Sequence, residues 1–307
     1  MHVSDAEIRD RLATALGRPV AVLRRRPSPY GSRHPLEEVD AEVGDSEPLR
    51  LMLKAGAARE AAAYREILGP AALDVPAWYA SSSNGRAWVL LERLDAVPLW
   101  QVGDFAAWEE AARWLARLHA SPAPTTSVGA PAAAPAIAAY DAAHLRALPL
   151  RALAVLADGR PSRRRLVERL AANWQQVVER LAAWPVSLVH GDFYPSNVLV
   201  QACAGGPRVR PVDWELIGIG PGPLDLAALS SGRWTAGERE RLARAYHDAL
   251  PTSGRPAWAE FEDVLEQARL AIAVGWLGAP RDWVPPAEHR CNWMADAVES
   301  ADRLGLL

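Results

Sequence analysis

The chain has 307 residues, half of them hydrophobic, with a formal charge of −3. That length suits two lobes with buried cores, and the charge balance offers no basic excess for nucleic acid. Two cysteines, Cys203 and Cys291, without CxxC spacing, argue against a disulfide framework or a cysteine zinc site and fit a reducing cytosol.

The first residues, Met1 to Glu7, are polar and acidic, so no secretory leader is expected. No apolar run of about 18 residues predicts a membrane span. Ser4 and Glu7 form a capping-box pattern that starts a helix, with Gly17 as its stop. Strands are expected at 20–23, 36–43 and 49–55, with turns at Gly31 and at Gly44-Asp45-Ser46. A helix follows at 57–68, ended by Gly69-Pro70. Strands at 77–82 and 86–92 flank Asn84-Gly85, a hairpin signal. Beyond residue 94, Phe105, Trp108, Ala112, Leu115 and His119 make a helical stripe. Residues 121–139, rich in Pro and Ala, read as a loop. A helix at 163–184, a β-rich stretch at 187–212 and helical patterns from about 223 complete the chain. The tryptophans Trp100, Trp108 and Trp114 read as helix core, and the runs Arg24–Arg26 and Arg163–Arg165 as solvated faces.

The chemistry is concentrated in His190-Gly191-Asp192-Phe193-Tyr194-Pro195-Ser196-Asn197. Asp192 and Asn197 share a loop between two apolar runs, which can aim both side chains at one spot. Pro211-Val212-Asp213-Trp214-Glu215 follows and ends a second apolar run on an Asp. Asn197 and Asp213 are two oxygen ligands of the kind Mg²⁺ takes when triphosphate and water complete its shell. Asp192 then lies where an acceptor hydroxyl could be oriented and its proton accepted. Lys54, the single lysine of the chain, ends the strand Leu49–Leu53. A compact ammonium kept where arginine serves everywhere else suggests a point charge in a tight space.

These motifs, H-G-D-x-x-x-x-N followed by D-W-E, resemble the aminoglycoside phosphotransferase and choline kinase group, relatives of the protein kinases. The resemblance runs from about residue 20 to 230. It implies an α+β, two-lobed protein-kinase-like fold: residues 1–94 form a small antiparallel β-sheet lobe with one helix, and 95–307 a larger, mainly helical lobe. It implies ATP and Mg²⁺ as cofactors, Lys54 on the α/β-phosphates and an ion pair from Lys54 to Glu60, with Glu66 as the competing partner. By the same resemblance, backbone groups of Glu92 and Leu94 hold adenine at the hinge, and Asp192 serves as the catalytic residue. Ser32 and Arg33, between the first two strands, are placed to reach phosphate, whereas His119, His190 and Asp225 read as supports of the catalytic loop. No G-x-x-x-x-G-K-[ST], HExxH or G-x-S-x-G pattern occurs, which excludes by pattern a P-loop kinase, a zincin and an α/β-hydrolase.

The resemblance weakens beyond 230, where the acceptor should be selected. Residues 251–307 carry nine acidic and five basic side chains, a balance that suits a cationic acceptor. Trp283, Trp276 and Trp293 are candidate acceptor contacts, as is Glu215. The expected activity is phosphoryl transfer from ATP to a hydroxyl of a small molecule. An aminoglycoside-type antibiotic or related natural product is the first candidate and a primary metabolite the second. The rival of another class is a nucleotide-binding or ligand-sequestering protein with little turnover.

Overall fold

The Ser4 hydroxyl accepts a hydrogen bond from Glu7 N–H at 3.2 Å, and Gly17 ends the first helix, α1 (Asp5–Leu16), at φ 64°. The computed structural model of the chain describes residues 3–30, 34–44, 47–71, 73–82, 87–121, 137–156, 161–280 and 291–307. The turn residues Gly31, Asp45, Ser46, Asn84 and Gly85 lie outside them.

Five strands follow α1: β1 (Val22–Pro27), β2 (Leu36–Glu42), β3 (Leu49–Ala55), β4 (Trp78–Ser82) and β5 (Trp88–Glu92). They form one sheet in the order β1-β2-β3-β5-β4, antiparallel throughout. Alternation along β3 divides its side chains between two faces. Leu51 and Leu53 join Ile8, Leu12, Trp88 and Leu90 in a core beneath α1, where Trp88 Nε1 donates to Glu7 Oε1 at 3.0 Å. Met52 and Lys54 turn to the other face and line a cleft.

β1 runs further than expected and takes in Arg24–Arg26, of which Arg24 and Arg26 are exposed as expected and Arg25 is not. Arg25 donates to Glu37 and Asp5, each at 2.7 Å, and its side chain is only 10% exposed. Cross-strand carboxylates thus neutralise a basic strand that apolar patterning alone does not reveal.

α2 (Ala58–Ala63) winds on through a π-helical turn at Tyr64–Leu68 into α3 (Gly69–Ala71). The stop expected at Gly69-Pro70 is absent, because the wider turn seats Gly69 N–H on Tyr64 O and lets the chain continue. Val89, Leu91, Ala61 and Tyr64 belong to the core of the helical part, so α2 is wedged between sheet and helices.

After the short β6 (Val97–Pro98) come α4 (Phe105–Ala120), β7 (Ala138–Ala139) and α5 (Ala142–Val155). α6 (Pro161–Ala172) and α7 (Trp174–Ala182) replace the single helix expected over 163–184. They part at Asn173, whose side-chain amide donates to Leu306 O at 3.1 Å. β8 (Val186–Val189), β9 (Val198–Cys203), β10 (Gly206–Pro211) and β11 (Gly218–Pro221) carry the motifs, followed by α8 (Pro223–Leu229), α9 (Ala236–Ala249), α10 (Trp258–Leu277) and α11 (Trp293–Arg303). Trp108 and Trp114 are buried in α4. Trp100 is not core: it sits on a short turn, 43% exposed, at the edge of the cleft. Among the described residues no helix is long and apolar enough to cross a membrane.

Candidate active site

The His190-Gly191-Asp192 loop leaves β8 and returns into β9, and a buried network holds it. Asp225, at the start of α8, accepts from His190 N–H at 2.6 Å and from Gly191 N–H at 2.9 Å, with His119 Nε2 3.2 Å away. His190 Nε2 donates to Val212 O at 3.0 Å, while Nδ1 accepts from Asp192 N–H at 3.2 Å. Both contacts suit a neutral ring, and burial lowers the histidine's pKa. Gly191 has φ 80°, and a Cβ there would lie 2.1 Å from Tyr140 Oη and 2.3 Å from Leu216 O. Only glycine fits this position.

Asn197 Nδ2 donates to both Asp192 O and Asp192 Oδ2, each at 2.9 Å. Both partners are acceptors, so the amide nitrogen must face them and Oδ1 is turned outward. Asp213 ends β10 in the left-handed region at φ 65°, the single non-glycine residue with positive φ among those described. Asp and Asn tolerate that conformation best, and such outliers cluster at functional sites.

Lys54 Nζ lies 2.6 Å from Glu60 Oε2 and 2.7 Å from Asp213 Oδ1, with its side chain 8% exposed. Burial alone would lower its pKa, but the two carboxylates outweigh burial and raise it. Glu60 also accepts from Trp214 N–H at 3.2 Å. Glu66, by contrast, pairs with its neighbour Arg65.

Asp213 Oδ2 and Asn197 Oδ1 are therefore the oxygens left to a cation. Among the described residues no cluster of three His, Cys, Asp or Glu could hold a metal by itself. Two hard oxygens beside an open cleft fit Mg²⁺, which keeps water and phosphate in its shell. The Asp192 carboxyl is pushed up to about 7, first by burial and then by the negative charge of Asp213. Spacing along the chain predicts no such shift; it arises because the fold buries the Asp192 carboxyl and brings the charge of Asp213 near it.

Two clefts meet at this loop. The first, about 320 Å³, runs between the sheet and the β9–β10 hairpin and is lined by Lys54, Met52, Leu91, Glu92, Leu94, Asn197 and Asp213. At Glu92 the hinge expectation narrows to one backbone group. Its N–H is already spent on Ala77 O at 2.8 Å. Its carboxylate accepts from Ala77 N–H at 3.1 Å and from Arg210 at 2.9 and 2.6 Å. Ala77 N–H thus bonds the Glu92 side chain rather than its carbonyl. The Arg210 fork ties the hinge to β10. Burial opposes ionisation of Glu92, but Arg210 and the Ala77 N–H win and lower its pKa.

The second cleft, about 450 Å³, has Asp192 in its floor and α5 and α10 as walls. Trp276 lines it and donates through Nε1 to Tyr194 Oη. Trp293 does not line it; it stacks behind Trp276 with ring centroids 5.6 Å apart. Glu215 is not a lining residue either. It sits 3.2 Å from His34 Nε2, joining the two lobes. Ser32, Arg33 and Trp283 lie outside the described residues.

Three of the described acids of 251–307 are paired with arginines outside the cleft lining. Glu266 pairs with Arg269 and Arg303, Glu299 with Arg303, and Asp263 with Arg180. The lining residues Tyr140, His144 and Arg151 were missed, because α5 was not anticipated. Its signal was present: Asp141 as N-cap and Leu145, Leu148 and Ala152 as a buried stripe, obscured by Pro149.

A sequence profile of the phosphotransferase enzyme family (APH) matches residues 6–261. The chain belongs to that family. Solved structures carry the same fold. A choline/ethanolamine kinase family protein from Mesorhizobium loti is 20% identical, with 98% of this chain and 94% of that one covered at a TM-score of 0.52. An ethanolamine kinase from Plasmodium vivax is 12% identical over 92% and 81% at 0.60. Spectinomycin phosphotransferase APH(9)-Ia, in complex with ADP and spectinomycin, is 11% identical over 100% of both chains at 0.51. Comparison with curated protein sequences gave no match. As a family member with this fold, the chain is a small-molecule phosphotransferase of protein-kinase-like architecture, a sheet lobe joined to a helical lobe.

Proposed function

We propose that this phosphotransferase binds MgATP in the cleft beside Lys54 and transfers the γ-phosphoryl group to a hydroxyl of a small molecule held in the cleft beside Asp192. The observation that carries the reading is a single bonded set at the junction of the clefts. Lys54 bridges Glu60 and Asp213, and Asn197 is locked to Asp192. Lys54 supplies a fixed positive charge for the α/β-phosphates. Met52 and Leu91 give the base an apolar slot, and backbone groups of Glu92, through its carbonyl, and Leu94 are placed to hold it. Bound Mg²⁺, held by Asn197 and Asp213, neutralises phosphate charge. Asp192 accepts a hydrogen bond from the acceptor hydroxyl and aims its oxygen at phosphorus. It takes the proton as the new P–O bond forms and ADP leaves. A loose transition state asks mainly for this positioning, and a carboxyl poised near neutrality suits a late proton transfer.

The size of the second cleft supports an antibiotic-like or related natural product over a small amino alcohol as acceptor. Two free cysteines, Cys203 and Cys291, suit an enzyme of the reducing cytosol. The reading is tested by calorimetric MgATP binding beside a transfer screen against hydroxylated antibiotics and metabolites. Asp192→Asn should bind MgATP with little change and lose at least ~100-fold in kcat, the lower range for lost acid–base help. Turnover that survives this change removes Asp192 from the reaction. MgATP binding without transfer to any acceptor leaves the sequestering rival standing.

A further inference from the structure

The walls of the second cleft are chemically one-sided. On α5, residues 144, 145, 148 and 151 follow a helical spacing and share one face. Leu145 and Leu148 are buried in its middle, facing a cleft whose far wall carries Ile272 and Trp276 of α10. Two carboxylates line the cleft, Asp192 and Asp225. Asp225 is committed to His190, Gly191 and His119. Among the described residues this leaves Asp192 as the one acid turned to an acceptor. At the rim stands Arg151, solvent-exposed and without a carboxylate partner among the described residues. His144 lies about two helical turns before it. Burial, and then Arg151, lower its pKa, so it serves as a neutral hydrogen-bonding group.

We infer that the acceptor is a hydroxylated small molecule with a predominantly apolar body and an anionic group, and not a polycation. This rests on the phosphoryl-transfer reading above and narrows it. An ammonium brought against Leu145, Leu148 and Ile272 would shed water with Asp192, among the described residues, as the one counter-charge free in the cleft. An apolar body gains free energy in proportion to the area it buries there. A carboxylate at the rim meets the Arg151 fork, which can bind it through two parallel hydrogen bonds.

The cleft can be tested before its natural acceptor is known. The probe is 8-anilinonaphthalene-1-sulfonate, an apolar aromatic anion, with MgADP saturating the nucleotide cleft. The dye should bind at a single saturable site. Arg151→Glu, an exposed change that spares the core, should weaken it at least ~10-fold, as loss and reversal of a facing charge does. Cholate, a hydroxylated apolar carboxylate, should displace the dye; kanamycin, a polycation, should not. In the transfer assay, hydroxylated apolar carboxylates should consume MgATP with higher kcat/KM than kanamycin. Displacement by kanamycin, a preference for it in transfer, or dye affinity unchanged in Arg151→Glu overturns the inference. If dye, cholate and Arg151→Glu behave as expected but MgATP is neither bound nor consumed, the cleft chemistry stands and the kinase reading fails instead.

Discussion

Both clefts have mainly apolar walls; what sets the cleft beside Lys54 apart from the one beside Asp192 is a group of charges locked to one another. In the first, a buried ammonium touches two carboxylates within 2.7 Å, and Arg210 clamps the hinge through Glu92. Each group there is needed at one position and in one charge state, since an unpaired buried charge costs several kcal/mol. In the second, Leu145, Leu148, Ile272 and Trp276 present area rather than points. The charged cleft should therefore fail sharply on substitutions that preserve shape, and the apolar one should respond by degrees.

The sharpest test of this contrast is Asp213. Alanine is a poor probe at φ 65°, where it would add backbone strain of about 1–2 kcal/mol. Asparagine tolerates the conformation and keeps the size. Asp213→Asn should cost roughly 10³-fold in kcat, because metal-held phosphate contributes several kcal/mol to the transition state, while its melting temperature stays near that of the parent. Steady-state transfer beside thermal unfolding reads both. A variant with normal Mg²⁺-dependent turnover withdraws the metal assignment.

Lys54→Arg comes next. The guanidinium keeps the charge but not the compact fit between Glu60 and Asp213, so kcat/KM should fall by at least ~10-fold. Full activity would show that the pocket tolerates a fork and that the single lysine carries no special meaning.

On the apolar side, Trp276→Phe keeps most of the wall and removes one hydrogen bond to Tyr194. A net hydrogen bond is worth about 0.5–1.5 kcal/mol, so acceptor KM should rise roughly threefold with kcat nearly unchanged. A loss as steep as that at Asp213 would erase the distinction between the clefts.

The smallest expected effect lies at the hinge, and it is one of stability. Glu92 has a folded pKa below its unfolded value. Its contribution is thus complete above the unfolded pKa and lost as pH falls through the folded one. Glu92→Gln should lower the melting temperature by a few degrees at pH 7, since a pair with one partner a third exposed is worth about 1–2 kcal/mol. At a pH below the folded pKa the difference should vanish. An equal difference at both pH values would assign the effect to lost packing.

Much of the charged cleft was legible in the chain because its residues lie on short loops at strand ends. Asp192 and Asn197 share one loop, Asp213 ends the next hairpin, and Lys54 ends a strand whose alternation sets its face. The hinge was harder, since it depends on which partner takes the Ala77 N–H, and that partner, the Glu92 carboxylate, is oriented by Arg210 from a hairpin 118 positions away. The apolar cleft was read least well. Trp293 and Glu215 have the right chemistry, yet Trp293 packs behind Trp276 and Glu215 turns to His34.

The sequence by itself determined the strand ends, the metal-type oxygens and the lone ammonium, because local spacing is enough to place a side chain at the tip of an element. Only the tertiary structure decided which face of α5 meets α10, and that Asp263, Glu266 and Glu299 are paired with arginines away from the cleft. It also raised the Asp192 pKa, by burying the carboxyl and bringing the charge of Asp213 near it. The physical reason is that helix rotation and charge pairing are settled by packing among elements far apart in the chain, where no local pattern records the outcome.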